Sequence, residues 1–346
     1  MGNPEEYHRI RKARAPHASR TPEAWANAYG SLRRALGFDT TEVRKVFRSL
    51  LRFMRDRGFT SFSQFDHDSA VAWLRYGNIQ EMSAVVRLAT IRGFFRYLVS
   101  VGVLEDNIWN SLSHPRPKRF VPYIFSLAEL RNILEQTLQM LHSRKHRGQH
   151  VERAYHVAYH TAYACGLRAG EVCRLRIRDV DFERSLFQIL NTKFGKSRLV
   201  PFNKRTRELV SAYLHKHRPT DVDASPDAPL FVNYWRRPFT RGRFTTHFAQ
   251  VCAAIGIYQP KKIEGKTVYG GTTPHALRHS FAVHRLLKWY EDGADVNSKL
   301  PLLATYMGHS KYRFTQKYLR VLPEFIKIAN RLFSGRFEEP LRDLEG

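Results

Sequence analysis

The stretch PHALRHSFAVHRLLKWY, residues 274–290, combines a helical pattern of apolar residues with a cluster of cationic and imidazole side chains. Its apolar positions recur at steps of three and four, which predicts a helix. On that helix His275 and Arg278 lie one turn apart and face the same side. His309 and Tyr318 follow among further helical patterns. These groups could bind a phosphate and attack it with a phenol, which indicates phosphoryl transfer without a metal ion.

Size and composition set the class of protein. With 346 residues, 43% of them hydrophobic, the chain is long enough for two globular domains. No apolar run approaches the ~20 residues that span a bilayer, and the N-terminus lacks a secretory signal. We therefore predict a cytoplasmic protein without membrane contact. Three cysteines cannot form a disulfide framework, so reduced and packed thiols are expected at Cys165, Cys173 and Cys252.

The chain is strongly basic. Its 57 Lys and Arg residues exceed 31 Asp and Glu residues, for a formal net charge of +26, and the excess is spread over both halves of the sequence. Cations near phosphates release condensed counterions, so a polyanion is the expected partner and nucleic acid is the first candidate. Charge alone also leaves open a ribosomal or membrane-surface protein.

Residues 1–112 read as a small helical DNA-binding domain with four helices. Thr21 and Pro22 form an N-cap and a first helical residue. Two of the helices carry arginine rows opposite an apolar stripe, and such rows could follow a phosphate backbone or be solvated faces. The predicted DNA contacts are Arg44, Arg48, Arg52, Arg87, Arg92 and Arg96.

Residues 113–123 contain prolines and basic residues that predict an extended linker, and residues 124–346 form a second domain. Helical patterns dominate this domain. Alternation over residues 179–190, followed by Arg198–Phe202, predicts a small antiparallel sheet, whereas Pro260–Thr273 reads as a polar loop. The predicted fold class is therefore mainly α with one small antiparallel β-sheet, in two domains.

Four fragments together resemble the tyrosine recombinases, also called the phage integrase family, which includes the bacterial Xer proteins. They are Cys165–Glu171, Lys193 with the following Arg198–Pro201, Pro274–His279, and Met307–Ser310 with Thr315–Tyr318. Each fragment is weak alone, but their order and helical context match the family along the whole chain. The resemblance implies a core-binding domain and a catalytic domain that clamp DNA between them.

The resemblance also implies roles for these residues. Tyr318 would be the nucleophile, because it stands nine residues after His309 as the family pattern requires, whereas Tyr306 and Tyr312 do not. A tyrosyl phosphate keeps the energy of the broken phosphodiester bond. Arg168 and Arg278 would bind the phosphate, since guanidinium groups bind bidentately and stay charged.

The remaining roles concern protons and orientation. His275 would assist proton removal from Tyr318 or bind phosphate, and His309 would hydrogen-bond the same phosphate. The resemblance assigns the general acid to Lys193 in the β-turn, although Lys196 in the same turn stays an alternative. Glu171 would orient its neighbours.

Other histidines have simpler interpretations. His279 and His284 read as surplus helix residues, and His156 with His160 reads as packing. Because the helix of His275 lacks the carboxylates that a zinc or magnesium nuclease would need, we predict no metal and no cofactor.

Two functions from different classes remain open. The first is a site-specific recombinase that exchanges strands through 3′-phosphotyrosyl intermediates and a Holliday junction, in integration, excision, transposition or dimer resolution at the bacterial nucleoid. The second is a DNA-binding regulator or accessory protein without catalysis. A type IB topoisomerase would share the chemistry of the first.

The resemblance also predicts an assembly. A monomer in solution would form a homotetramer on double-stranded DNA at specific recombination sites, with accessory proteins as possible partners. An apolar terminal helix at residues 323–334 would then dock on a neighbouring subunit.

Overall fold

The computed structural model describes residues 20–77, 81–113, 118–140, 149–190, 197–309 and 311–319. The chain divides into two compact units, Met1–Lys118 and Arg119–Gly346. The division falls within residues 113–123, where the sequence predicts a linker. Within the described ranges, both units are mainly helical and small sheets occur in the second. The predicted fold class is confirmed in this respect.

Four α-helices build the described part of the first unit, as predicted. They are α1 Pro22–Ala35, α2 Thr41–Asp56, α3 His67–Arg75 and α4 Glu81–Ser100. The predicted N-cap of α1 is confirmed, because the side chain of Thr21 accepts a hydrogen bond from the Ala24 amide at 3.3 Å. Such a cap satisfies an amide that has no partner inside the helix.

Aromatic side chains form the core of this unit. Phe47 of α2 meets Phe94 of α4 with ring centroids 4.7 Å apart, and Trp73 of α3 meets Trp109 edge to face at 5.3 Å. These four rings are buried. Large aromatic rings bury much apolar area, so the apolar stripes inferred from the sequence do join the helices into one core.

Eight α-helices are described in the second unit. They are α5 Leu127–Gln139, α6 Gln149–Ala164, α7 Ala169–Val172, α8 Lys204–Ala212, α9 Arg241–Ala254, α10 Pro274–Glu291, α11 Val296–Met307 and α12 Arg313–Leu319. A capping box begins α5, where Ser126 and Glu129 form reciprocal hydrogen bonds.

Helix α6 is central to the second unit. Its residues Ala154, Ala158 and Ala162 recur every four positions and are fully buried. Both α5 and α10 contact α6. Small side chains on one stripe allow neighbouring elements to approach closely. As a result, the helix that carries His275 and Arg278 rests on the core of the unit.

The predicted antiparallel sheet is confirmed. It contains β2 Val180–Asp181, β3 Leu186–Ile189 and β4 Arg198–Pro201 in that order. Phe187 of β3 pairs with Val200 of β4, and both side chains are buried. The turn between β3 and β4, residues 191–196, lies outside the described residues.

A second sheet shows that the prediction of a polar loop over Pro260–Thr273 was wrong. This sheet has the order β1–β6–β5, where β1 is Arg119–Val121, β5 is Lys262–Glu264 and β6 is Thr267–Tyr269. Strand β6 pairs with β5 antiparallel and with β1 parallel. Strands of three largely exposed residues carry no alternating pattern, and a parallel partner far away in the chain leaves no local signal.

Candidate active site

The second unit brings five of the six predicted catalytic residues together. Arg168, His275, Arg278, His309 and Tyr318 interact electrostatically with one another. The sixth, Lys193, lies outside the described residues, and so does the alternative Lys196. The five come from four separate segments: the one before α7, helix α10, the one after α11, and α12.

Arg278 is the most deeply placed cation of the site. It is 1% exposed, and its Nη1 and Nη2 donate to the carbonyl oxygens of Gly166 and Met307 at 2.7 and 2.6 Å. Burial lowers the pKa of Arg278 to about 9, so the group stays charged at neutral pH. The two carbonyls use two of the five N–H groups of a guanidinium. The remaining N–H groups can donate hydrogen bonds to a phosphate.

Gly166 ends α6 and orients the carbonyl that holds Arg278. Its φ is +57°, and a Cβ built there would lie 2.4 Å from Cδ1 of Phe281. Glycine is therefore required at this position for two reasons: the backbone is left-handed, and α10 approaches closely. Gly166, in the fragment Cys165–Glu171, thus shapes the site without any side chain.

We expect Gly166→Ala to lower the free energy of unfolding by about 3 kcal/mol, because it combines backbone strain with overpacking. Gly256→Ala is the matched control. Gly256 also has a positive φ, of +74°, but nothing lies within 4 Å of a Cβ built there. The control should therefore lose about 1 kcal/mol in free energy of unfolding, from backbone strain alone. Urea unfolding of both variants measures the difference, and equal losses would mean that Phe281 yields to the new methyl group.

Glu171 joins two arginines. Its Oε1 accepts from Nη1 of Arg168 at 2.7 Å and from Nη1 of Arg198 at 3.0 Å, and its Oε2 accepts from Nη2 of Arg198 at 2.9 Å. The Glu171 side chain is 2% exposed. Arg198 also donates from Nε to the Tyr306 carbonyl at 2.9 Å. The predicted orienting role of Glu171 agrees with this arrangement.

The sequence predicts no role for Arg198 beyond that of the first residue of a strand. No sequence pattern shows that its side chain turns toward Glu171. The contact joins β4 to the start of α7. Because this pairing arises only when the sheet packs on the helices, the tertiary structure was needed to find it.

We expect Glu171→Gln to destabilise the protein at neutral pH. Burial alone would raise the pKa of Glu171, but hydrogen bonds and charges from Arg198 and Arg168 outweigh it and lower this pKa from 4.5 to about 2. The carboxylate therefore contributes stability above pH 4.5, and this contribution falls as the pH decreases toward 2. A shift of this size corresponds to about 3 kcal/mol.

Urea unfolding of wild type and variant between pH 7 and pH 2.5 measures this effect. The difference in free energy of unfolding between wild type and Glu171→Gln should shrink as the pH falls. Glu208→Gln is the control, since Glu208 pairs with Arg205 on an exposed helix face and such pairs contribute little. A Glu171→Gln penalty that did not change with pH would refute the assigned linkage.

His309 is held by the turn after α11. Gly308 ends that helix with φ +65°, and a Cβ there would lie 3.0 Å from Nη1 of Arg198. The Gly308 carbonyl accepts from Nη2 of Arg168 at 3.2 Å. His309 Nδ1 lies 2.7 Å from Oγ1 of Thr315, which leaves its Nε2 for another partner. The Gly-His pair thus contacts both the cations and helix α12.

Tyr318 lies inside the site, and its contact corrects the interpretation of His279. The Tyr318 side chain is buried, and its hydroxyl lies 2.8 Å from Nδ1 of His279. The interpretation of His279 as a surplus helix residue was therefore wrong. His279 stands four residues after His275, on the same face of α10, so helical spacing could have included it. The sequence could not tell which imidazole reaches the phenol.

The phenol and the imidazoles of the site have pKa values shifted toward their neutral forms. Burial raises the pKa of Tyr318 to about 12, although Arg278 and Arg168 counteract it. Loss of surrounding water, followed by the charges of Arg278 and Arg168, lowers the pKa of His309 to about 3. The same causes lower the pKa of His275, whose surface stays accessible at the first turn of α10. Neutral imidazoles can accept hydrogen bonds at physiological pH.

The other tyrosines noted in the sequence have different surroundings. The hydroxyl of Tyr306 donates to the Pro201 carbonyl at 3.1 Å, and its ring stacks on Phe281. Tyr312 is 41% exposed. Of the three tyrosines in this stretch, Tyr318 is the one in hydrogen-bond contact with a site histidine.

The remaining histidines pack as predicted or have a tyrosine partner. His156 Nδ1 lies 3.0 Å from the Leu134 carbonyl, and His160 Nε2 lies 3.0 Å from Oγ1 of Thr206. His284, further along α10, places Nδ1 at 2.9 Å from the hydroxyl of Tyr163. Within the described ranges, no group of three or more His, Cys, Asp or Glu residues could hold a metal ion. Likewise, none of the helices described there is long and apolar enough to cross a membrane.

The predicted DNA contacts of the first unit fall into two groups. Arg44, Arg48 and Arg52 lie on the exposed face of α2, and Arg96 is exposed on α4. Arg87 and Arg92 have other partners.

Arg87 and Arg92 hold the unit together. Arg87 donates from Nη1 to the carbonyls of Trp73 and Tyr76 at 3.1 and 2.7 Å. Arg92 donates from Nε to the Trp109 carbonyl at 2.8 Å and from Nη2 to that of Leu112. Both guanidinium groups therefore satisfy backbone carbonyl oxygens of the segments next to α4.

Known proteins share this sequence and fold. The model of the phage integrase family matches residues 132–324. The protein y4rB of Sinorhizobium fredii, whose name assigns it provisionally to the integrases and recombinases, is 31% identical over 312 residues, which cover 90% of this chain and 96% of the relative. The tyrosine recombinase XerD of Lacticaseibacillus casei is 28% identical over 285 residues, with 81% and 87% covered.

A solved structure shows the same fold. The lambda integrase tetramer bound to a Holliday junction superposes with a TM-score of 0.60 at 15% identity, and the match covers 90% of this chain and 80% of that one. At this identity the likeness concerns the fold alone.

Proposed function

Because the chain belongs to the phage integrase family of tyrosine recombinases, we propose that it is a site-specific DNA recombinase with Tyr318 as its nucleophile. The observation that carries the proposal is the burial of the Tyr318 hydroxyl among Arg278, Arg168 and neutral histidines of its own chain. A phenol so placed can form a covalent bond to a DNA phosphorus. That bond preserves the energy needed to rejoin the strands.

The phosphate would be held by two guanidinium groups. Arg278 is fixed by the carbonyls of Gly166 and Met307, and Arg168 by Glu171 and the Gly308 carbonyl. Both cations are therefore oriented before DNA arrives. Preorganised donors stabilise the charge that develops on the non-bridging oxygens without a cost of reorganisation in the reaction step.

Proton transfer to the departing 5′-oxygen needs a general acid. We assign it to Lys193, with Lys196 as the alternative, as the resemblance to the family implies; both lysines lie outside the described residues, in the segment of the chain between β3 and β4. Tyr318, the arginines and a lysine together would supply nucleophile, charge stabilisation and acid. We propose that the reaction therefore requires no metal ion.

DNA would also contact the first unit. The exposed arginines Arg44, Arg48, Arg52 and Arg96 form the proposed phosphate contacts, supported by the net charge of the chain. Arg87 and Arg92, also predicted as contacts, would act indirectly by holding α4 in place. The division of the chain into the units Met1–Lys118 and Arg119–Gly346 supports the proposed core-binding domain, residues 1–112, and catalytic domain, residues 124–346.

We propose a homotetramer on two DNA sites as the active assembly, with strand exchange through a Holliday junction. The lambda integrase tetramer on such a junction supports this by its shared fold. The terminal helix at residues 323–334, which lies outside the described residues, would dock on a neighbouring subunit. The bacterial nucleoid is the proposed place of action, and accessory proteins would supply direction.

A suicide substrate tests the proposed function. The DNA flanking the gene supplies the candidate recombination site, which is nicked so that the cleaved fragment diffuses away. The protein should form a covalent adduct in the presence of a chelator, and peptide mapping should place the DNA on Tyr318. Binding without any adduct would favour the non-catalytic DNA-binding alternative. Adducts formed equally on unrelated DNA would favour a topoisomerase.

A further inference from the structure

Resting on the proposed function, we infer that His279 is the base that accepts the Tyr318 proton during strand cleavage. The inference starts from the 2.8 Å contact between Nδ1 of His279 and the Tyr318 hydroxyl. Among the described residues, His279 is the hydrogen-bond partner of the Tyr318 hydroxyl. The family resemblance implies that His275 assists proton removal from Tyr318 or binds phosphate, and the inference moves the first of these tasks to His279.

The other two site histidines have different contacts. His275 lies edge to face with His279, with ring centroids 4.6 Å apart. His309 uses Nδ1 for Thr315, and its ring centroid is 6.4 Å from that of Tyr318. Both therefore flank the phenol and its partner, and either can still bind phosphate through a free nitrogen.

Helix α12 aims the phenol at His279. Thr315 is fully buried and contacts His309, and Tyr318 follows three residues later on the same face of this helix. His309 thus anchors α12 one turn before the nucleophile. The Tyr318 hydroxyl then meets α10 at His279 rather than at the accessible His275.

The surroundings of His279 keep its ring neutral before DNA binds. Burial lowers the pKa of His279 well below 6.5, and His275, Arg278, His309 and Lys317 add to this. A neutral imidazole whose proton is on Nε2 presents a lone pair at Nδ1, so the phenol donates to it. Such a weak base cannot deprotonate a buried phenol by itself. A DNA phosphate adds negative charge to the same cluster and favours the imidazolium.

The proposed step conserves atoms and charge. The O–H bond of Tyr318 breaks and its proton goes to Nδ1 of His279, while the phenolate oxygen forms a bond to phosphorus. The bond between phosphorus and the 5′-oxygen breaks, and that oxygen takes a proton from the general acid. In religation the 5′-hydroxyl gives its proton back to the deprotonated general acid as its oxygen bonds to phosphorus. The bond between phosphorus and the Tyr318 oxygen breaks, and His279 returns its proton to the departing phenolate.

The decisive variant is His279→Asn. The Asn amide oxygen can accept the hydrogen bond of the phenol and hold its orientation, but it cannot take the proton. We expect cleavage of the suicide substrate to slow by about 10²-fold or more, with DNA binding unchanged. If His279 only positions Tyr318, Asn should restore cleavage relative to His279→Ala, and that result would overturn the inference.

A more acidic phenol gives an independent readout. With a fluorinated tyrosine incorporated at position 318, proton removal becomes easier, and the loss caused by His279→Asn should shrink to within about threefold. A loss of equal size with tyrosine and fluorotyrosine would also overturn the assignment.

His284→Asn is the matched control for folding. His284 lies on the same helix, is half-buried, and makes a similar contact with the Tyr163 hydroxyl at 2.9 Å. It should lose comparable stability but keep the cleavage rate per folded molecule. Absence of an adduct with the wild type would instead reject the proposed function. Failure of the proposed function can therefore be distinguished from failure of the His279 assignment.

Discussion

Tyr318→Phe is expected to abolish the covalent protein–DNA adduct while the protein still folds and binds its site. The change removes one oxygen atom, and with it the nucleophile, so the rate of cleavage should fall by at least about 10⁴-fold. The ring stays packed in the cluster that contains Phe281, Leu303 and Met307. Lost hydrogen bonding to His279 should cost about 1 kcal/mol of stability. Gel electrophoresis under denaturing conditions detects the adduct, and a gel-shift assay measures DNA binding.

Two neighbouring tyrosines serve as controls for this prediction. Tyr306→Phe also removes a hydrogen bond, from its hydroxyl to the Pro201 carbonyl, and should keep the adduct. Tyr312→Phe changes an exposed side chain and should also keep it. If Tyr312→Phe eliminated the adduct and Tyr318→Phe retained it, the nucleophile would be misassigned and α12 would need a different register.

Arg278→Lys is expected to slow cleavage by about 10²–10³-fold, because a fixed guanidinium does three tasks at once. It donates to the carbonyls of Gly166 and Met307 and keeps further N–H groups for phosphate. An ammonium is a point charge with one nitrogen, so it cannot reach both carbonyls and the phosphate in this geometry. A carbonyl left without its donor in this buried place adds a stability loss of about 1–3 kcal/mol.

Single-turnover cleavage under saturating DNA separates this effect from binding. Arg285→Lys is the control, since Arg285 lies two turns later on α10 and is exposed over the Phe281 ring. That variant should cleave at the wild-type rate. Cleavage by Arg278→Lys at an unchanged rate would show that the site uses only the positive charge of Arg278 and not the shape of its side chain.

Local periodicity explains which features could be predicted from the sequence. The stripe on residues 274–290 predicts α10, and its period places His275 and Arg278 on one face. The apolar alternation of Phe187 and Ile189 likewise predicts β3. Each of these inferences uses residues a few positions apart, whose geometry is set by backbone hydrogen bonding alone.

Contacts between distant segments explain what was missed. Arg198 reaches Glu171 from another element, and β1 pairs with β6 although the two are far apart in the chain. The hydrogen bond between His279 and Tyr318 similarly joins two helices. Side-chain partners of this kind depend on how elements pack, and many packings are compatible with one local pattern.

The sequence by itself determined the helical pattern and the predicted antiparallel sheet, because local spacing fixes which side chains share a face, and its resemblance to the tyrosine recombinases supplied the proposed phosphate-binding and nucleophilic residues. The tertiary structure alone decided that Glu171 holds two arginines, that Gly166 must lack a side chain, and that His279 is the imidazole in contact with the phenol. The physical reason is that these contacts arise where β4 meets α7 and where α10 packs on α6 and on α12. The order of these elements along the chain does not specify that packing.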